Sequence, residues 1–147
     1  MKKLGLVVYG SRFNGKLKGI SIKNYTKHEQ QRKVYGQTTV NLDLPFFSSG
    51  HSFYGGGAHI KNRFFEIPAT GNFLLTLRCP EFLLTYDESM VGYYDDNIES
   101  LNQEVDRYLK DNKLRKQKTV KAYNYVWEEH QFKHRFKKMF NILMEEL

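Results

Sequence analysis

The chain has 147 residues, 40% apolar and 27% charged, which suits one soluble globular domain with its own core and excludes a disordered or fibrous chain. Its formal net charge of +7 favours anionic partners such as nucleic acid, a nucleotide diphosphate or an anionic membrane face. A single cysteine, Cys79, excludes an internal disulfide and fits a reducing compartment.

Leu4 to Tyr9 is a short apolar run ended by Gly10-Ser11. It is too short for a signal or spanning segment and leads straight into Ser11-Arg12-Phe13-Asn14, so it reads as a buried strand in a cytoplasmic protein. Arg12 to Ile22, rich in Gly and Lys, reads as a loop, with or without a short hairpin. Lys27 to Tyr35 is a polar surface helix that Gly36 ends. Thr38 to Leu44 is a second strand, stopped by Pro45. Phe46 to His59, with Ser48-Ser49-Gly50 and Gly55-Gly56-Gly57, is a loop.

Ile60 to Ala69 reads as a helix that Pro68 shortens or bends and Gly71 caps. Phe73 to Leu77 is the clearest core strand. Glu81 to Tyr86 is one helical turn, and Val91 to Tyr94 a fourth strand. Asp96 to Asp111 is a helix whose Asp96 and Glu99 have capping-box spacing, with Ile98, Leu101, Val105, Tyr108 and Leu109 on one apolar face. Lys113 to Glu129 follows, with Val120, Tyr123 and Trp127 at helical spacing and Trp127 expected in the core. Gln131 to Leu147 closes the chain, with Phe132, Phe136, Met139, Phe140, Leu143 and Leu147 on one side.

Strands alternating with helices predict an α/β fold. We expect a Rossmann-like, mostly parallel sheet of about four or five strands, with the C-terminal helices packed at one side. In such a sheet ligands bind beyond the carboxyl ends of the strands. Two segments suit that position. Gly10-Ser11-Arg12, followed by Lys16 and Lys18, offers close backbone approach and cations for phosphate, or else forms a plain turn with solvated charges. Gly55 to Arg63 leads glycines into a helix start with Lys61 and Arg63 beside it. That arrangement suits a phosphate, or else is a surface loop, since it matches neither common phosphate-loop fingerprint.

The run Asn62-Arg63-Phe64-Phe65-Glu66-Ile67-Pro68-Ala69-Thr70-Gly71-Asn72-Phe73-Leu74-Leu75-Thr76 resembles a signature of glycosyltransferases similar to spore-maturation protein CgeB. These belong with GT-B, family-4-like enzymes. Pro80-Glu81, Gly92-Tyr93-Tyr94, Leu101, Tyr108-Leu109, Arg115 and the ending Glu129-His130 with Arg135 recur at comparable places. The likeness is good from Gly55 to Leu147 and loose from Leu4 to Leu44.

This resemblance implies that residues 1–147 form one GT-B half, the C-terminal domain that holds a nucleotide-sugar donor. Glu66 would accept hydrogen bonds from the ribose hydroxyls. Arg63, with Asn62 beside it and the Gly56-Gly57 loop, would face the diphosphate. Gly10, Ser11, Arg12 and Lys18 would form the weaker basic pair and turn after the first strand. His59 either approaches the sugar or is a solvated loop residue. No metal and no cofactor beyond the nucleoside-diphosphate sugar are implied.

Two departures carry weight. Ala58 stands where many family-4 enzymes have a sugar-gripping Glu, and one Rossmann-like half lacks the acceptor half that completes the cleft. The expectation is therefore that transfer needs a second, acceptor-binding subunit or a homodimer, with Phe53 and Tyr54 as candidate contacts, or else that the chain is a degenerate relative without turnover. His130 and Arg135 are expected to fix the terminal helices, and Cys79 to fill space.

The competing reading is a nucleic-acid-binding module, carried by basic residues from Arg107 to Lys138 with Tyr123 and Tyr125 for base stacking. It ranks below the donor-domain reading. The same charges suit an anionic membrane surface, and the terminal helices also suit a noncatalytic role, docking onto another protein.

Overall fold

The computed structural model describes residues 5, 7–9, 21–23, 28–44 and 60–145. The chain divides into two compact units, residues 1–34 and 35–147.

In the first unit, β1 (Val7–Tyr9) pairs in parallel with β2 (Ser21–Lys23). The second of these strands falls where the sequence predicts a loop. Three residues ending in a lysine show no period of their own, and pairing with β1 is what makes them a strand. Helix α1 (His28–Gly36) runs from this unit into the next, one residue offset from its predicted bounds.

The second unit holds a three-stranded parallel sheet in the order β3 (Asn41–Asp43), β4 (Leu74–Leu77), β5 (Gly92–Tyr94). Asp43 pairs with Thr76, and Leu77 with Tyr94, so all three carboxyl ends lie at one edge. Helix α2 (Arg63–Ala69) joins β3 to β4, and α3 (Pro80–Leu83) joins β4 to β5. Helices α4 (Ile98–Lys110), α5 (Asn112–Glu129) and α6 (Phe132–Glu145) follow.

Alternation along the strands builds two cores. Leu74 and Tyr93 face one way, into Phe64 and Ile67 of α2, Phe82, Tyr86 and Val91, and Ala122 and Val126 of α5. Phe73, Leu75, Leu77 and Tyr94 face the other way, against Tyr108 of α4, with Leu101 and Val105 alongside. A sheet covered on both faces needs near-continuous apolar strands, and β4 supplies one. The parallel sheet with flanking helices is the Rossmann-like layering that the sequence predicts.

Local chemistry fixes the ends of the elements. Helix α2 closes as the sequence predicts. Gly71 takes a left-handed φ of +73°, its N–H donates to Pro68 O at 2.8 Å, and the Asn72 N–H donates to Ile67 O at 3.2 Å. Those paired bonds satisfy the last carbonyls of the helix. Helix α4 departs from prediction: Asn97, not Asp96, is the cap, with Oδ1 accepting the Ser100 N–H at 2.7 Å. The predicted face of α5 is also displaced. Val120, Tyr123 and Trp127 are exposed, while Lys118, Ala122 and Val126 point inward. Among the described residues no helix is long and apolar enough to cross a membrane.

Candidate functional site

The carboxyl edge of the sheet is the place to look for a ligand. Asp43 ends β3 there with its side chain fully buried. Arg63, the first residue of α2, donates from Nε to Asp43 Oδ1 and from Nη2 to Leu44 O at 2.9 Å. Lys61 also reaches this point, its Nζ donating to Leu44 O at 3.2 Å. The chain entering α2 therefore converges two cations on the last turn of β3. Burial and the adjacent Arg63 charge push the Lys61 ammonium below its ordinary range, although Asp43 opposes this.

Behind these cations lies a buried polar layer. Asp43 Oδ2, Thr76 Oγ1 and Tyr94 Oη are each buried without a hydrogen-bond partner among the described residues. Burial and the negative charge of Asp43 push the Tyr94 phenol up, so it stays a protonated donor. A buried carboxylate oxygen without a partner is costly, and native structures keep few of them. The ion pair with Arg63 offsets part of that cost.

Glu66 lies three residues along α2 from Arg63, on the same side of the helix. It is half-buried, and Oε2 accepts a long hydrogen bond from the Tyr35 hydroxyl at 3.5 Å. Asn62 sits exposed at the start of α2 and makes no side-chain cap. Of the ten residues predicted to contact the donor, Asn62, Arg63 and Glu66 are thus brought together on one helical turn. Gly10, Ser11, Arg12, Lys18, Gly56, Gly57 and His59 lie outside the described residues, as do Phe53, Tyr54 and Ala58.

Asp43 and Tyr35 are the partners that sequence reading missed. Asp43 had one signal, a carboxylate near the end of a predicted strand. Tyr35 had none.

Two clefts lie beside the helices, and Glu66 of the candidate site lines one of them. One of about 420 Å³ runs between α2, α5 and the start of α6, and is lined by Phe65, Glu66, Trp127, His130 and Phe132 among others. The larger, about 750 Å³, lies beside β5, α4 and α5. Several of its cations are already committed. Arg78 pairs with Glu88 and Asp95, Arg107 pairs with Glu104, and Lys118 Nζ donates to Val91 O at 3.0 Å and to Glu88 O. Lys118 is therefore a fastener between α5 and the turn before β5, not a member of an exposed basic run. Burial, reinforced by Arg107, pushes its ammonium below the ordinary lysine range.

His130 and Arg135 hold the α5–α6 junction. The His130 ring is 5.0 Å from both Phe65 and Tyr125, and the Arg135 guanidinium lies 4.5 Å over the Phe65 ring. Trp127 lies half-exposed outside the core that the sequence predicts for it, and its indole N–H donates to Ala69 O at 3.2 Å. Cys79 is half-buried with its thiol pushed up by burial, which makes it a poor nucleophile.

A family model described as glycosyl transferase-like matches residues 1–141. No curated protein and no solved structure matches the chain.

Proposed function

This chain belongs to the glycosyl transferase-like family, and we propose that within it the chain is the donor-binding half of a CgeB-like, GT-B type transferase acting on a nucleoside-diphosphate sugar. The observation that carries this reading is the convergence of Arg63 and Lys61 on the carboxyl end of β3, one helical turn from Glu66.

Breaking the bond between the sugar and the diphosphate leaves negative charge on the departing nucleotide. Fixed cations aimed at that charge lower the barrier, because they need no reorganisation as it develops. Arg63 suits this role. Its Nε and one terminal nitrogen are held by Asp43 and Leu44, which fixes the plane of the guanidinium. Asp43 is then a positioning residue. Glu66 takes the ribose hydroxyls, exchanging a long contact with Tyr35 for shorter ones. The remaining donor contacts fall to Gly10, Ser11, Arg12, Lys18, Gly56, Gly57 and His59, and no metal is called for.

The acceptor of the hexosyl group must be held against the anomeric carbon of the donor sugar as the diphosphate leaves. Holding both substrates in one closed site supplies much of the rate enhancement. We assign that second wall to another domain, a second subunit or a second copy of the chain, and place the reaction in the cytoplasm. The nucleic-acid reading has less support, because Lys118 is turned inward, Arg115 donates to Tyr108 O and Arg135 lies against Phe65.

Calorimetric titration with UDP and with GDP tests the proposal. Saturable binding is expected, and Glu66→Ala should weaken it by about 1–3 kcal/mol. Absence of binding for both nucleotides at millimolar concentration would overturn it.

A further inference from the structure

None of the described residues of α6 is buried. Phe132, Phe136, Met139, Phe140 and Leu143 are between 45% and 77% exposed. At 100° per residue these five share an arc of roughly 100°, a continuous apolar stripe. A helix stabilised by a core turns such a stripe inward. Helix α6 does the reverse. Arg135, at one flank of the stripe, lies over Phe65, and His134, opposite the stripe, is half-buried with Nδ1 enclosed. The polar side touches the body at this first turn, and the apolar side stays exposed along the helix.

We propose that α6 is an interfacial helix that seats the chain on an anionic lipid surface. Charge decides the occupant. Lys133 and Lys137 border the stripe on one side and Arg135 on the other, while Lys138 lies across the helix from it. The one carboxylate within the helix, Glu145, lies across from the stripe, leaving four cations against one anion. Aromatic and aliphatic side chains bordered by the exposed Lys133 and Lys137, on a helix of net positive charge, match the acyl and headgroup layers of an anionic leaflet.

The surface also extends past the helix. Trp127 lines the same cleft as Phe132, and the Tyr123 ring lies 6.0 Å from that of Trp127. Amphipathic Trp and Tyr rings favour the boundary between hydrocarbon and water. Trp127 is also the only tryptophan in the chain, so its emission reports on this surface alone.

The test uses the full chain with phosphatidylcholine vesicles, with and without phosphatidylglycerol at about a third of the lipid. Sedimentation should show roughly tenfold tighter binding to the anionic vesicles, weakening as salt shortens the electrostatic range. Trp127 emission should shift to the blue on binding. The double variant Phe136→Asp with Phe140→Asp should lose both effects with an unchanged far-ultraviolet circular dichroism spectrum, since both side chains are exposed. Lys133→Glu with Lys137→Glu should lose only the preference for anionic lipid.

No vesicle binding, or equal binding by the aspartate variant, would overturn the proposal. So would a wild-type dimer that ignores vesicles and becomes monomeric in the aspartate variant, which would assign the stripe to a second copy. None of these readouts involves a nucleotide, so the outcome is independent of the donor site.

Discussion

Gly92 shows how closely single residues are constrained in this fold. A Cβ placed there would lie 2.7 Å from Tyr108 Cε2 and 2.9 Å from both Leu75 Cδ1 and Phe73 Cζ. Those three side chains are buried and hold one another in place, so none can retreat cheaply. Gly92→Ala should destabilise the chain by about 1–3 kcal/mol through overpacking, measured as a shift in urea midpoint. The sequence marks Gly92 only as part of the family-like Gly92-Tyr93-Tyr94. Its physical reason, an aromatic ring from α4 lying against the backbone of β5, depends on packing. Lys118 carries the converse lesson. Among Lys116, Lys118 and Lys121 it reads as one more surface charge, yet its ammonium bonds two carbonyls of the preceding turn.

At the scale of elements, periodicity located the helices and chemistry placed their ends less well. In α5 two sets of residues share helical spacing. Val120, Tyr123 and Trp127 look apolar but face out, while the inward set of Lys118, Ala122 and Val126 is disguised by its lysine and its small alanine. In the run Asp95-Asp96-Asn97 all three side chains suit a cap. Backbone geometry selects Asn97, whose extended φ of −154° aims its side chain at the Ser100 N–H. The α5–α6 junction makes a pH-dependent prediction. Burial, and then the Arg135 charge, push the His130 imidazole below its ordinary range. The unfolded chain therefore binds this proton at a higher pH, near about 6.5, than the folded chain does. The associated stability is complete above that pH and is lost as the pH falls through the depressed folded value. Urea midpoints at pH 7.5 and 5.5 should differ less in His130→Gln than in the wild type. An equal difference would assign the acid sensitivity to other groups.

Across the whole molecule, the layering and helix α2 were legible because they rest on local pattern, a short helical run from Arg63 to Ala69 followed by the apolar strand β4. The partners that orient those residues were not. Asp43 lies 20 residues from Arg63 and Tyr35 lies 31 from Glu66, separations over which spacing carries no information. We propose that a nucleoside diphosphate binds where β3 ends and α2 begins. The most direct measurement of this is a residue-resolved amide NMR titration with UDP and GDP. Saturable shifts should concentrate at residues 43–44 and 61–66, and Arg63→Ala should greatly weaken them. Shifts confined to the cleft between β5, α4 and α5, or undiminished in Arg63→Ala, would contradict it.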